Sequence, residues 1–173
     1  MSEPAPIPAP IIVTALLGKT DAAWFDALRR RHFPPERNQL EAHLTMFHHL
    51  APSLEGELKH RLAGETRGVR APTARVGGLI SLGGGVAFRI ESPELADIRD
   101  RLADAFAPLL TPQDKAGWRP HVTVQNKVPP QEARALLRTL EADFRPRPVA
   151  IAGLASWWYR GGPWAPLSRH MFA

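Results

Sequence analysis

The same four-residue word occurs twice in this chain, as His43-Leu44-Thr45-Met46 and as His121-Val122-Thr123-Val124. Each reads histidine, aliphatic, threonine, apolar. Side chains alternate faces along a β-strand, so His43 and Thr45 share one face while Leu44 and Met46 take the other. His121 and Thr123 share a face in the same way, with Val122 and Val124 behind them. A fold that uses both strands must bury two apolar backs and leave two imidazole-plus-hydroxyl faces open. If those faces meet, one cleft holds two histidines, the minimum equipment for acid–base chemistry at neutral pH.

The segments around the words repeat as well. Ile11 to Leu17 reads as a buried strand. Asp21 to Arg31 reads as a helix capped by Asp21, with Ala22, Phe25 and Leu28 at helical spacing. The first histidine strand follows at 42–50, then a helix from Pro52-Ser53 to about Ala63 with Ser53 as its cap, then a strand from Thr73 to Leu82. Gly83-Gly84-Gly85 permits positive φ and predicts a hairpin into a strand at Val86 to Glu91. A helix from Ser92-Pro93 to Leu109, a polar loop over 111–118, the second histidine strand at 120–128 and a helix from Pro129-Pro130 to Phe144 come next. Strands at Val149–Arg160 and Trp164–Phe172 close the chain. Strand, helix, histidine strand, helix, strand thus occurs in 11–82 and again in 86–172. The order predicts an α+β fold of two pseudo-symmetric lobes, each a mostly antiparallel sheet with helices packed outside and the cleft between them. Residues 1–10, with proline at 4, 6, 8 and 10, predict a flexible lead-in, and 11–173 a single bilobal domain.

Composition bounds the function. The 173 residues, 44% hydrophobic and 23% charged, suit one soluble globular domain. No apolar run approaches the ~20 residues of a membrane span, and the N-terminus lacks a signal-peptide pattern, so the expectation is a cytoplasmic protein without membrane contact. The absence of cysteine excludes disulfides, thiolate metal sites and a cysteine nucleophile. A net charge of +5 favours an anionic partner, although no basic block is dense enough to act as an independent RNA-binding arm. Nothing in the sequence compels more than a monomer.

Phosphodiester cleavage suits a matched pair of histidines. One neutral imidazole takes a proton from the attacking water or ribose hydroxyl, and the other, protonated, gives one to the leaving oxygen. Each threonine hydroxyl can donate to a non-bridging phosphoryl oxygen, where charge develops in the transition state. The candidate catalytic residues are therefore His43, Thr45, His121 and Thr123, with the acid and base roles assigned jointly. Alternation adds Gln125 and Lys127 on the second polar face, and Phe47 and His49 on the first. Lys127 suits a phosphate as a point charge.

HLTMF at 43–47 and RPHVTVQNK at 119–127 resemble the paired His-x-Thr motifs of the 2H phosphoesterase superfamily, with the bacterial 2′-5′ RNA ligase-like proteins as the most similar branch. The resemblance covers the chain after residue 10. It implies a bilobal α+β fold, no metal or other cofactor, and action on 2′,3′-cyclic phosphates or 2′-5′-linked nucleotides, with RNA ends or a small cyclic nucleotide as substrate. It places the catalytic roles on His43, Thr45, His121 and Thr123. The chain departs from the family at Phe47-His48-His49-Leu50, where Phe-Leu-Gly is more usual, and at Gln125-Asn126-Lys127, which leaves the particular substrate open. Two alternatives share the cleft: an RNA- or nucleotide-binding module with little turnover, and a ligase running the transfer in reverse.

The remaining features carry less. His43, His48 and His49 suggest a metal site only superficially, since a regular strand points His48 away from His43 and no HExxH pattern is present. The triple glycine leads into a strand, whereas a phosphate cradle needs a helix N-terminus. Trp157, Trp158, Tyr159 and Trp164 can stack on bases as single-strand binders do, or can simply pack. Alternation sets Trp157 with Tyr159 and Trp158 with Arg160, which makes Tyr159 and Arg160 candidate ligand contacts.

Overall fold

The computed structural model describes residues 8–173 and folds them around two antiparallel sheets that share one long strand. The first sheet runs β2 (Leu44–Leu50), β1 (Ile11–Leu17), β6 (Arg147–Trp158), β7 (Ala165–Met171). The second runs β6, β3 (Thr73–Ser81), β4 (Val86–Glu91), β5 (His121–Gln125). β6 divides its length between them. Its N-terminal part, Arg147 to Ala150, pairs with β3, while Ile151 to Trp158 pairs with β1. The strands carrying the two histidine words, β2 and β5, therefore lie at the free ends of the strand order.

The helices are α1 (Lys19–His32), α2 (Glu55–Thr66), α3 (Pro93–Phe106), the short α4 (Pro112–Lys115) and α5 (Pro130–Asp143). They cover the apolar backs of both sheets. Leu58 and Leu62 of α2, and Leu95, Leu102 and Phe106 of α3, join Ile11, Val13, Leu44, Met46 and Phe47 in one buried cluster. Trp24 and Phe25 of α1 meet Phe88 of β4 edge-on at 5.2 and 5.8 Å. Leu44, Met46, Val122 and Val124, the apolar halves of the two words, are fully buried. None of the helices of the described residues is long and apolar enough to cross a membrane.

Where local chemistry departs from the sequence reading, a tertiary partner has claimed the group. Ser92 caps α3 as expected, accepting from the Leu95 amide at 3.2 Å. Asp21 does not cap α1. Its buried carboxylate accepts the Ala150 amide of β6 at 2.8 Å and an Arg147 N–H at 3.2 Å, fastening α1 to the shared strand. Ser53 lies in a 3-10 turn, and α2 starts at Glu55 without a side-chain cap. The predicted loop 111–118 contains α4, capped by the Thr111 hydroxyl. The triple glycine makes the expected hairpin, closed by the Leu82 N–H to the Gly85 carbonyl at 2.9 Å. Residues 1–7 of the proline-rich lead-in lie outside the described residues. Further along it, Ala9 is buried and the Pro10 carbonyl accepts the Tyr159 N–H.

Candidate active site

β2 and β5 come into contact, which sets the two words beside each other. His43 immediately precedes β2 and His121 opens β5. The two imidazoles are anchored identically. His43 Nδ1 lies 2.8 Å from the Glu41 carbonyl oxygen, and His121 Nδ1 lies 2.7 Å from that of Arg119. A carbonyl only accepts, so Nδ1 must carry the proton in both rings. The neutral tautomer therefore keeps its lone pair on Nε2. Each ring offers the cleft a base when neutral and an acid when charged.

Directly after each threonine the strand is bulged. Thr45 pairs with Thr14 and Phe47 with Val13, so Met46 is an extra residue in β2. Thr123 pairs with Ala87 and Gln125 with Val86, so Val124 is the extra residue in β5. A bulge breaks the alternation and leaves ladder groups unpaired. Both residues after the threonine are consequently buried in each strand: Met46 with Phe47, and Val124 with Gln125. This corrects the expectation that Phe47 and Gln125 continue the polar faces. Phe47 lies in the core beneath the Arg99 guanidinium. Gln125 is 3% exposed, and its Oε1 has no donor.

The carbonyls around the bulges are satisfied across the cleft. Trp118, from the segment leading into β5, donates its indole N–H to the Thr45 carbonyl at 3.0 Å. Arg29, from the helix preceding β2, donates to the Thr123 carbonyl at 2.8 Å. Each histidine strand is thus held by a side chain from the other's half of the chain. Arg29 is buried, with its Nε on Asn38 Oδ1 at 3.1 Å and its guanidinium over Phe33. Burial lowers its pKa, partly offset by Asp26, and it remains a cation.

The environment of His43 favours the neutral ring. Burial pushes its pKa down, and the charges of Arg29, His121 and His48 push the same way, against the raising effect of the Glu41 carbonyl. His48 turns elsewhere. Its Nδ1 and backbone N–H, and the N–H of His49, all bond the fully buried Asp114 of α4. Burial raises the Asp114 pKa, but these hydrogen bonds outweigh it and hold the carboxyl below the usual range.

A cavity of about 440 Å³ opens beside His43, walled by Trp157, Trp164, Lys19 and Arg169. Trp164 meets the His43 ring edge-on at 4.7 Å. Tyr159 and Arg160 do not line this cavity. β6 ends at Trp158, so the strand alternation that would have carried them stops, and Arg160 lies over the Trp158 ring instead. Lys127 is exposed beyond the end of β5, in the left-handed region at φ 64°. Sequence reasoning missed Arg29, Trp118 and Arg169. None sits in a local motif, and only the tertiary pairing reveals them.

Two His-x-Thr strands, identically anchored at adjoining sheet edges of a duplicated α+β fold, define a protein of the 2H phosphoesterase class. The family model of the 2′-5′ RNA ligase superfamily matches residues 18–163, and the chain belongs to that superfamily. Among solved structures it is similar to Escherichia coli LigT complexed with 3′-AMP, at 18% identity and a TM-score of 0.62 over 96% of this chain and 99% of that one. LigT complexed with NADP+ gives 19% identity and a TM-score of 0.59 over the same shares. A phosphoesterase crystal structure gives 19% and 0.58, again over 96% and 99%. No curated protein matches the chain in sequence.

Proposed function

We propose that this protein is a metal-independent phosphodiesterase that opens 2′,3′-cyclic phosphates, or cleaves 2′-5′-linked nucleotides, by two-histidine acid–base catalysis. The observation that carries the reading is the matched anchoring of the rings, with Nδ1 of both His43 and His121 on a backbone carbonyl, which reserves Nε2 for proton transfer. The surroundings of His43 keep it neutral, which suits the base. Its Nε2 removes a proton from water as the oxygen attacks phosphorus. The bond from phosphorus to one ribose oxygen breaks, and His121 Nε2 delivers a proton to that oxygen. The product is a phosphomonoester with the other ribose hydroxyl free. His43 leaves the cycle protonated and His121 neutral, and exchange with solvent resets both. Thr45 and Thr123 donate hydroxyls to the non-bridging oxygens, where a fixed donor is worth ~10²–10³ in rate. That LigT has been solved with 3′-AMP and with NADP+ supports a nucleotide in this cleft.

The test is turnover of adenosine 2′,3′-cyclic phosphate in the presence of chelator. Wild type should be active, and His43→Ala, His121→Ala, Thr45→Val and Thr123→Val should each lose about 10²-fold or more. Chelator-sensitive turnover, or unchanged rates in both histidine variants, would refute the scheme. Salt-sensitive RNA binding without product would favour the binding-module reading. Joined 2′-5′ product from 2′,3′-cyclic and 5′-hydroxyl ends would show that the transfer runs in reverse.

A further inference from the structure

The two words are symmetric, but the space beside them is not. On the β2 side the register sets Thr45 opposite Thr14, Thr14 opposite Ala155, and Ala155 opposite Arg169. Residues directly opposite in antiparallel strands share a face, so these four form a row across the first sheet. The row spans three strand spacings, about 14 Å. Its middle members, Thr14 and Ala155, are small and buried, so the row forms a low trough between Thr45 and Arg169. The cavity beside His43 lies over Thr14 of this row and has Arg169 in its wall.

Its walls have a definite chemistry. The Trp157 indole N–H is spent on the Thr14 hydroxyl at 3.0 Å, which pins the ring and leaves its face for stacking. Trp164 stands 6.4 Å from it, centroid to centroid, at 50°. That is an aromatic corner rather than a parallel clamp, so a planar ligand stacks on one indole with its edge toward the other. Lys19 and Arg169 line the same cavity, both exposed, and among the described residues neither pairs with a carboxylate. The one acid in the wall, Glu41, lies just before His43, on the β2 side. Aromatic walls thus share the cavity with two uncompensated cations, and the Arg169 end of the row lies three strands from Thr45.

We propose that this trough is a subsite for a nucleoside bearing a second phosphate: the tryptophans take the base, and Arg169 with Lys19 takes the 5′-phosphate while the 2′,3′-cyclic phosphate lies between the histidines. The proposal rests on the phosphodiesterase reading and narrows it. The preferred substrate class is a nucleotide 2′,3′-cyclic phosphate carrying a 5′-phosphate, either as a free mononucleotide or as the terminal residue of an oligonucleotide. Arg169 suits the role because a guanidinium binds phosphate bidentately.

The experiment compares kcat/KM for adenosine 2′,3′-cyclic phosphate, its 5′-phosphorylated form, and a dinucleotide ending in a 2′,3′-cyclic phosphate. Wild type should prefer the 5′-phosphorylated form by about tenfold or more, the worth of one good charge-assisted contact. A preference shared by the dinucleotide identifies the oligonucleotide terminus as the source, and one confined to the monoester identifies the mononucleotide. Arg169→Met should bring the ratio of the two mononucleotide substrates close to one. A wild-type ratio near one, or a ratio that survives Arg169→Met, overturns the subsite. If no cyclic phosphate is turned over, the phosphodiesterase reading fails by itself. The subsite is then decided by titrating 5′-AMP and adenosine with tryptophan fluorescence as the readout. Tighter binding of 5′-AMP that disappears in Arg169→Met and is silent in Trp157→Phe, Trp164→Phe supports it, and equal affinity for the two overturns it.

Discussion

Replacing Arg29 by methionine removes a buried cation that touches both halves of the site. Two hydrogen bonds go with it, to the Thr123 carbonyl at 2.8 Å and to Asn38 Oδ1 at 3.1 Å. Bonds from a charged donor are worth about 1.5–3 kcal/mol each. Against their sum stands the cost of keeping a guanidinium out of water, several kcal/mol, which methionine does not incur. The expected net loss is about 2 kcal/mol, measurable by urea denaturation. The Thr123 carbonyl sits at the β5 bulge, so its release also loosens the threonine, and displacements of that kind cost about 10²-fold in rate. The third effect is electrostatic. Burial first, and then Arg29, lowers the pKa of His43. A lowered pKa keeps the base neutral to lower pH, so removing Arg29 must move the acid limb of the kcat/KM profile to higher pH. Arg29→Lys retains the charge and loses the fork, so its limb should stay near wild type while stability still falls. A limb that stays put in Arg29→Met, or moves to lower pH, would refute the electrostatic role.

Two further perturbations probe the supports of the histidine strands. Asp114→Ala leaves the amides of His48 and His49 without their acceptor, at about 1–3 kcal/mol each, so unfolding should come about 3 kcal/mol and about 10 °C sooner. Because burial is outweighed by these bonds and the Asp114 pKa is depressed, its contribution is present above the unfolded carboxylate pKa and lost as pH falls through the folded one. The stability gap between wild type and Asp114→Asn should therefore narrow on acidification, and a gap that widens would refute the assignment. At Gly85 a Cβ would collide with the Gln125 carbonyl oxygen and stand 2.6 Å from Asn126 Cα, all backbone at the end of β5. Gly85→Ala should thus lower both stability, by about 1–3 kcal/mol, and turnover. Gly83→Ala, at φ 80° with open space around it, should cost only about 1 kcal/mol and spare activity.

How much of this was readable beforehand follows from the range over which each signal acts. The His-x-Thr words, the strand–helix order and the glycine hairpin are local patterns, and the fold uses them as they read. The apolar backs of both words are buried as alternation required. Alternation fails one residue past each threonine, because a bulge is set by the partner strand rather than by the bulged one, and so Gln125 and Phe47 turn inward. The same limit explains Asp21, a plausible helix cap that β6 claims through the Ala150 amide. Tyr159 and Arg160 lie away from the cavity for a related reason. The aromatic cluster was visible, but which of its members face His43 depends on where β6 ends and how the loop returns to Trp164.

The duplication itself explains why some of the site is symmetric and some is not. On the proposed phosphodiesterase reading, the ester's two proton-exchanging ends account for what the chain repeats: imidazole, hydroxyl, the carbonyl lock on Nδ1 and the bulge that closes the word. What a substrate carries beyond its phosphorus has no such symmetry, and the surroundings diverge accordingly. His43 has Trp164 against its ring and the cavity reaching Arg169 beside it. A nucleotide seated as proposed would be oriented before any proton moves, with His43 as base on one side of the phosphorus and Arg169 fixing which side that is. Exchanging the roles of the two histidines would require turning the nucleoside out of the trough. On that proposal one asymmetry sets both direction of attack and choice of substrate, and a variant that abolishes one should blur the other: Arg169→Met is expected to yield a mixture of 2′- and 3′-phosphomonoesters where wild type yields one.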